Sequence, residues 1–158
     1  MSDQTSSQSP RPLGGGFKFK ALDAGAVARA EAALKSLSGN FDQWMADELV
    51  KLEAARGRVR TEGYNATTAE ELYFRAHDLK GLGATYGFPL VTRIAGSLCR
   101  ILHAPEDRLA APLFLVEAHI DAILAVVRGD IRAEDDPTGR TLAEELETQV
   151  ARRLSAAA

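Results

Sequence analysis

A histidine, a lysine and two small residues are spaced to share one face of a helix near the middle of the chain. At about 100° per residue, His77 and Lys80 lie one turn apart, and Gly81 and Ala84 continue the same face. The apolar residues of this segment fall on another face, formed by Leu72, Ala76, Leu79, Gly83 and Tyr86. We therefore expect the imidazole of His77 to be accessible to another macromolecule. A histidine in this setting can act as a nucleophile, and the ammonium group of Lys80 can hold an anion.

This motif resembles that of histidine-containing phosphotransfer (HPt) domains, in which His-x-x-Lys-Gly is followed by a glycine ten residues after the histidine. The matching residues here are His77, Lys80, Gly81 and Gly87. The resemblance extends over about residues 40–128, where the helix pattern suits the four-helix bundle of that family. It predicts a phosphorelay intermediate that belongs to two-component signalling.

The resemblance also implies a role for each motif residue. His77 would accept a phosphoryl group from a receiver-domain aspartate, Lys80 would neutralise part of the charge during transfer, and Gly81 would leave room for the partner. In the family, the magnesium ion belongs to the receiver, so this chain is expected to need no cofactor or metal of its own. The expected partners are response-regulator receiver domains and a hybrid histidine kinase.

Other residues near the motif are candidates for docking. Tyr73, one turn before His77, is predicted to be exposed, and Ala84 keeps the next turn low. Arg93, like Arg100, points away from the predicted core of the following helix and can complement an acidic partner or remain solvated. Gly81 and Gly83 each cost about 1 kcal/mol in a helix. Approach of a partner at Gly81 and close helix packing at Gly83 would explain them.

Three alternatives remain open at this point. His77 can be an ordinary exposed helix histidine, with Lys80 and Gly81 in a solvated turn. The chain can be a helical adaptor that binds a receiver or another signalling protein without chemistry. It can also be a dimeric phosphotransferase related to the dimerisation domain of histidine kinases. An autonomous kinase is not expected, because the chain has no Walker-type glycine-rich loop and little length for an ATP-binding domain.

Two helices are predicted before the motif. The first begins after Asp23, a possible N-cap, and ends at Gly39. Asn40 offers the next N-cap, with Gln43 as its capping-box partner, and the second helix should end near Glu62. Glycine disfavours helix continuation, so we predict a break at Gly39.

The helix that carries His77 is predicted to begin at one of two overlapping capping boxes, at Thr67 or Thr68. Gly87 is predicted to end it, and Pro89 suits the first turn of the next helix. A fifth helix is expected from about Asp107 to Arg128, or from Ala110 because of Pro112. A last helix is predicted from a capping box at Thr141 and Glu144, packing on the bundle or on a second copy.

These patterns predict an all-α fold: an antiparallel up-down-up-down four-helix bundle with an extra N-terminal helix and a C-terminal helical extension. Residues 1–20 are predicted to be a disordered tail, residues 21–129 the HPt-like bundle, and residues 130–158 a linker and the last helix. Phe17 to Lys20 can dock locally. The scarcity of aromatic residues, 6%, also favours helices over strands.

Composition narrows the class of protein further. The net charge of −3 gives no general affinity for nucleic acid or anionic membranes, and no apolar run approaches the ~20 residues of a membrane span. The polar start does not resemble a signal peptide, so a cytoplasmic protein is expected, monomeric or dimeric. His119 is predicted to be structural, His103 solvated and Cys99 a buried thiol. No metal site is expected.

Overall fold

The computed structural model describes residues 23–157, and every regular element within that range is an α-helix. The all-α prediction is confirmed. The predicted tail at residues 1–20 lies outside the described residues. The helices are α1 (Ala24–Glu62), α2 (Ala66–Leu82), α3 (Pro89–Leu102), α4 (Pro105–Arg108), α5 (Leu113–Arg128) and α6 (Pro137–Ala156). None of these described helices combines the length and apolar character needed to cross a bilayer.

The predicted break between the first two helices is wrong, because α1 continues through Gly39 and Asn40. A glycine inside a helix costs only about 1 kcal/mol relative to alanine, which does not by itself end a helix. Termination needs a change of backbone direction, and this occurs at Gly63, whose φ is +90°. The predicted N-cap at Asp23 is confirmed, since its carboxylate accepts a hydrogen bond from the N–H of Ala26 at 2.5 Å.

The chain divides into two units between Leu37 and Ser38. In the first unit, residues 24–37 are helical, and the side chains of Val27, Leu34 and Leu37 are exposed. The second unit contains the rest of α1 and all the other helices, and it holds the hydrophobic core and the motif.

The start of α2 differs from the prediction because Asn65 is its N-cap. The side-chain oxygen of Asn65 accepts hydrogen bonds from the N–H groups of Thr67 and Thr68, both at 3.0 Å. The hydroxyl of Thr68 in turn accepts a hydrogen bond from the N–H of Asn65 at 3.0 Å. Thr68 therefore occupies the third helical position of the capping box rather than its first. The two predicted capping boxes at Thr67 and Thr68 are wrong.

The region before α5 is a single helical turn followed by a new helix. The predicted start at Asp107 is wrong, since that residue belongs to α4, and so is the predicted start at Ala110. Pro112 is the N-cap position of α5, with an extended ψ of 124°, and Leu113 is the first helical residue. Proline lacks the N–H that a continuous helix would need here, so the chain restarts.

The last helix begins earlier than predicted. Asp136 caps α6 by accepting a hydrogen bond from the N–H of Gly139 at 2.8 Å, with Pro137 in the first turn. Thr141 lies one turn inside the helix and donates its hydroxyl to the carbonyl of Pro137 at 2.7 Å. The predicted capping box at Thr141 and Glu144 is therefore wrong. Of the apolar stripe predicted for this helix, Leu146 and Val150 are buried, whereas Leu142 and Leu154 are exposed.

The core is one cluster to which the second part of α1 and helices α2, α3, α5 and α6 contribute. Helix α3 is central to it, because α3 packs against α2, α4, α5 and α6. Ala143, Leu146 and Val150 of α6 are buried, so the last helix packs on its own chain. The largest fully buried apolar side chains are Met45, Leu52, Leu72, Leu79, Leu90, Val91, Ile94, Leu98, Leu102, Ile120 and Ile123.

Helices α2 and α3 approach closely where α2 ends. A Cβ atom at Gly83 would lie 2.7 Å from the backbone nitrogen of Thr92 and 2.8 Å from its hydroxyl. The close packing predicted for Gly83 is thus confirmed. The α-helix ends at Leu82, earlier than predicted, and Gly87, with φ of +91°, closes the turn that follows. The turn brings α3 back along α2 and so fixes the surface around His77.

Candidate functional site

His77 lies on the exposed face of α2, opposite the buried side chains of Leu72, Ala76 and Leu79. Its ring makes no hydrogen bond or ion pair with any residue between 23 and 157. The neighbouring carboxylate, Asp78, forms an ion pair with Arg75 at 3.4 Å instead. The imidazole is therefore presented to solvent with its two nitrogens open to an external group.

Lys80 is exposed one turn after His77, and it has no ion-pair partner within residues 23–157. Its aliphatic stem lies across α3 at Gly96, because a Cβ atom at Gly96 would be 3.9 Å from Cγ, Cδ and Cε of Lys80. These distances are those of ordinary van der Waals contact, so the stem packs on the surface of α3. The sequence pattern gave no reason to select Gly96, since the contact joins two helices.

The Cys99 thiol lies on the same side of α3. Burial raises the pKa of Cys99, and the positive charge of Lys80 lowers it to a smaller extent. A thiol with a raised pKa stays protonated at neutral pH and is a poor nucleophile. Cys99 is thus a small buried residue, as predicted, and not a second reactive group.

The exposed residues that follow His77 on this surface have small side chains or none. Gly81 is exposed, and a Cβ atom there would meet no atom within 4 Å, so the packing of the chain does not require glycine at this position. Ala84 is also exposed, in the turn after α2, where its N–H donates to the hydroxyl of Thr92 at 2.7 Å. Both residues leave the approach to the imidazole open.

Tyr73 is half-buried, which corrects the prediction that it would be exposed. Its ring lies with its centroid 6.0 Å from that of His77, and its hydroxyl is 3.2 Å from Nδ1 of His103. The guanidinium of Arg108 lies over the same ring, 4.6 Å from the centroid. Tyr73 therefore packs between two helices, and His103, exposed at the end of α3, is tied to it.

Arg108 is a buried cation that the sequence pattern did not single out. Its Nε donates to the carbonyl of Leu102 at 2.7 Å, and its Nη1 lies 3.6 Å from the carboxylate of Glu70. The hydroxyl of Tyr64 donates to the backbone carbonyl of Arg108 at 2.5 Å. Arg108 thereby links the end of α3 to α2, and its guanidinium packs against the ring of Tyr73.

A groove of about 410 Å³ opens beside His77, between α2, α3 and the end of α6. Its lining includes two side chains that are cationic at neutral pH and no carboxylate. Leu154 of α6 forms one wall, although it is far from the motif in sequence. The lining residues are Tyr73, His77, Lys80, Gly96, Cys99, Arg100, His103 and Leu154. A positively charged groove around an exposed histidine suits an anionic group.

Arg93 is not among the residues that line this groove. Its guanidinium forms a two-point contact with the carboxylate of Glu147 on α6, with Nη2 to Oε1 at 2.6 Å and Nε to Oε2 at 3.0 Å. These hydrogen bonds raise the pKa of Arg93. The pair fastens α6 to α3, and a docking role for Arg93 stays a prediction.

His119 is fully buried between α5 and α3. Its Nδ1 donates to the carbonyl of Leu115 at 2.7 Å, so Nε2 is the acceptor for the hydroxyl of Ser97 at 3.0 Å. Burial lowers the pKa of His119, and the hydrogen bond to Leu115 opposes this to a smaller extent. His119 is structural, as predicted. Among residues 23–157 no group of three or more histidine, cysteine, aspartate or glutamate side chains is placed to hold a metal ion.

Comparison of the chain with models of known protein families, with curated proteins and with solved structures finds no match. A function is therefore inferred from the motif and from the geometry of the groove. Three features of that geometry matter most: an exposed imidazole, an ammonium group one turn away, and a low surface at Gly81.

Proposed function

We propose that this chain is a phosphorelay intermediate of the HPt type, rather than an autonomous kinase. His77 accepts a phosphoryl group from the aspartyl phosphate of one receiver domain and passes it to another response regulator. The observation that carries the proposal is the exposed imidazole, which has no partner within residues 23–157 and has Lys80 one turn away. His119, by contrast, is buried and hydrogen-bonded through both ring nitrogens.

The phosphoryl transfer from aspartate to histidine needs no further reactant. A neutral imidazole nitrogen of His77 attacks the phosphorus atom of the acyl phosphate, and an N–P bond forms as the bond to the aspartate oxygen breaks. The aspartate leaves as a carboxylate with the bonding electron pair, and the ring keeps its N–H and takes up the positive charge. Transfer to a second receiver is the reverse of this step, which suits a carrier.

Lys80 and Gly81 support this step in different ways. Charge spreads over the three equatorial oxygens of the phosphoryl group during transfer, and a preorganised cation stabilises it. Lys80 supplies that cation, because its stem is held along α3 while its ammonium has no ion-pair partner among the described residues. Gly81 gives the loops of the receiver access to His77. The magnesium ion is contributed by the receiver.

The bundle topology belongs to the same proposal. The second part of α1 and helices α2, α3 and α5 form an antiparallel up-down-up-down bundle, with the beginning of α1 and all of α6 as extensions. Short connections at residues 63–65 and 83–88 favour antiparallel neighbours. An ion pair between Arg56 of α1 and Asp121 of α5, at 2.5 Å, favours placing these helices side by side. The protein is expected to act in the cytoplasm as a monomer.

A second candidate is an adaptor that binds a receiver without chemistry. The observation that favours it is Phe74, which lies one turn before His77 and is 50% exposed. A half-exposed phenylalanine suits protein docking whether or not transfer follows. Binding that survives His77→Ala, with no phosphohistidine formed, would favour this alternative.

The test is phosphoryl transfer from receiver domains that have been charged with a small phosphodonor. Wild type is compared with His77→Gln and with His103→Gln, a matched control in which the other groove histidine is changed. We expect an acid-labile, base-stable label on wild type and on His103→Gln, and none on His77→Gln. Label that persists on His77→Gln would overturn the assignment. Binding without label for several receivers would favour the adaptor.

A further inference from the structure

The groove beside His77 adjoins a second cavity, of about 260 Å³, which is lined by residues of α3, the α4–α5 connection and α6. Arg100 and Leu154 line both. The second cavity has an apolar wall that includes Ile101 and Ala111, and it carries charges from Arg153 and Asp107. A protein that binds over His77 from this side therefore also contacts the C-terminal end of α6.

Several contacts fix α6 in this position. Leu146 and Val150 are buried in the core, and the Arg93–Glu147 pair joins α6 to α3. Near its other end, the guanidinium of Arg153 donates to the carbonyl of Ala110 at 2.5 Å. Leu154 nevertheless remains 37% exposed, because it faces the two cavities and not the core cluster.

We propose that the end of α6 is part of the docking surface for the phosphotransfer partner. Leu154 and Arg100 extend that surface from His77 into the second cavity. The partner is a receiver domain that places an apolar side chain against Leu154, with a carboxylate next to it that faces Arg100. This inference rests on the proposed function, since it takes His77 to be the group that the partner approaches.

The charges favour an acidic partner. Across both cavities the lining holds Lys80, Arg100 and Arg153 but a single carboxylate, Asp107, although the whole chain has a net charge of −3. Complementary charges speed association and select partners. Arginine is also enriched at the centre of interfaces, and the buried core of an interface is more apolar than its rim.

The same charges disfavour the two occupants that the chain itself could supply. A second copy bound through this face in a two-fold contact would bring its own cations against these cations. Residues 1–22 contain Arg11, Lys18 and Lys20 but a single acidic residue, Asp3, so they are basic as well. A distinct, acidic protein surface fits better than either.

The experiment compares Leu154→Glu with Leu142→Glu. Both leucines are on α6 and are similarly exposed, at 37% and 36%, but Leu142 lines neither cavity. The probe is the receiver domain that binds the wild-type chain most tightly in a panel, and its dissociation constant is measured with each variant. A glutamate at 154 removes the apolar contact and repels an acidic surface.

We expect Leu154→Glu to weaken binding at least tenfold and Leu142→Glu to change it less than twofold. Labelling of wild-type His77 by phosphoramidate, which needs no docking, tests the chemistry separately, and equal helical circular dichroism of the three proteins controls for loss of fold. Equal receiver binding by Leu154→Glu and wild type would overturn the inference, as would a panel in which no receiver binds. A selective loss of binding without any label on wild type would retain the docking surface and reject the phosphotransfer function.

Discussion

The aliphatic stem of Lys80 crosses α3 at Gly96, with three of its carbon atoms 3.9 Å from the position that a Cβ atom would take there. That distance is an ordinary van der Waals contact, so an alanine at 96 fits without moving the lysine. The contact lays the stem of a surface lysine on α3, in the groove that His77 also lines. Among the glycines near His77, the packing requires Gly83 but neither Gly81 nor Gly96.

Alanine substitutions at Gly96 and Gly83 should have opposite effects on stability. Gly96→Ala should raise the free energy of unfolding by about 0.5–1 kcal/mol, the usual gain inside a helix. Gly83→Ala should lower it by about 1–3 kcal/mol, because the new Cβ would meet the backbone of Thr92 at 2.7 Å. Urea denaturation of both variants measures this. Equal changes in the two variants would contradict the packing described here.

Gly81 is expected to matter for access and not for folding. Gly81→Gln should raise the free energy of unfolding slightly, by up to about 1 kcal/mol, because no atom stands within 4 Å of the new Cβ. Receiver-driven labelling of His77 should nevertheless become at least tenfold slower, while phosphoramidate labelling stays within twofold of wild type. Unchanged receiver-driven labelling would remove Gly81 from the docking surface.

Lys80→Ala should slow phosphoryl transfer at least tenfold with little change in the unfolding midpoint, since the ammonium makes no ion pair with residues 23–157. Lys51→Ala is the matched control: Lys51 is also exposed, but it pairs with Glu48 on α1. Its transfer rate should equal that of wild type. A rate for Lys80→Ala that matches the control would exclude Lys80 from the mechanism.

Stability should fall on acidification because of His119. Burial lowers its pKa in the folded protein below the ordinary value of about 6.5. Between these two pKa values the unfolded chain binds a proton that the folded chain does not, so stability decreases as pH falls from 7 through 6.5. His119→Gln should give a flatter pH dependence of the unfolding free energy between pH 7 and 5.5. Parallel curves for the two proteins would contradict this account.

The periodicity of α2 predicted its buried face and the exposure of His77 correctly, because both depend on residues three and four apart. It misplaced Tyr73, whose burial comes from Arg108 and the end of α3. The break expected at Gly39 failed for a different reason: one glycine costs only about 1 kcal/mol in a helix, which does not by itself end it.

The position of Leu154 in the lining of the groove could not be predicted from the sequence. Its helical stripe indicated an apolar face, but the sequence did not say whether that face meets this bundle or a second copy. The answer depends on contacts across the chain, such as the Arg93–Glu147 pair and the close approach of Leu90 to Gly139. Long-range contacts of this kind assemble the site around a motif that the sequence does reveal.

The central claim is that His77 carries a phosphoryl group, and the most direct measurement is labelling by a phosphorylated receiver domain. Wild type and His103→Gln should both acquire an acid-labile, base-stable phosphate, and His77→Gln should acquire none. Equal helical circular dichroism of the three proteins would show that the difference is chemical and not a loss of fold. The same label on His77→Gln would contradict the account.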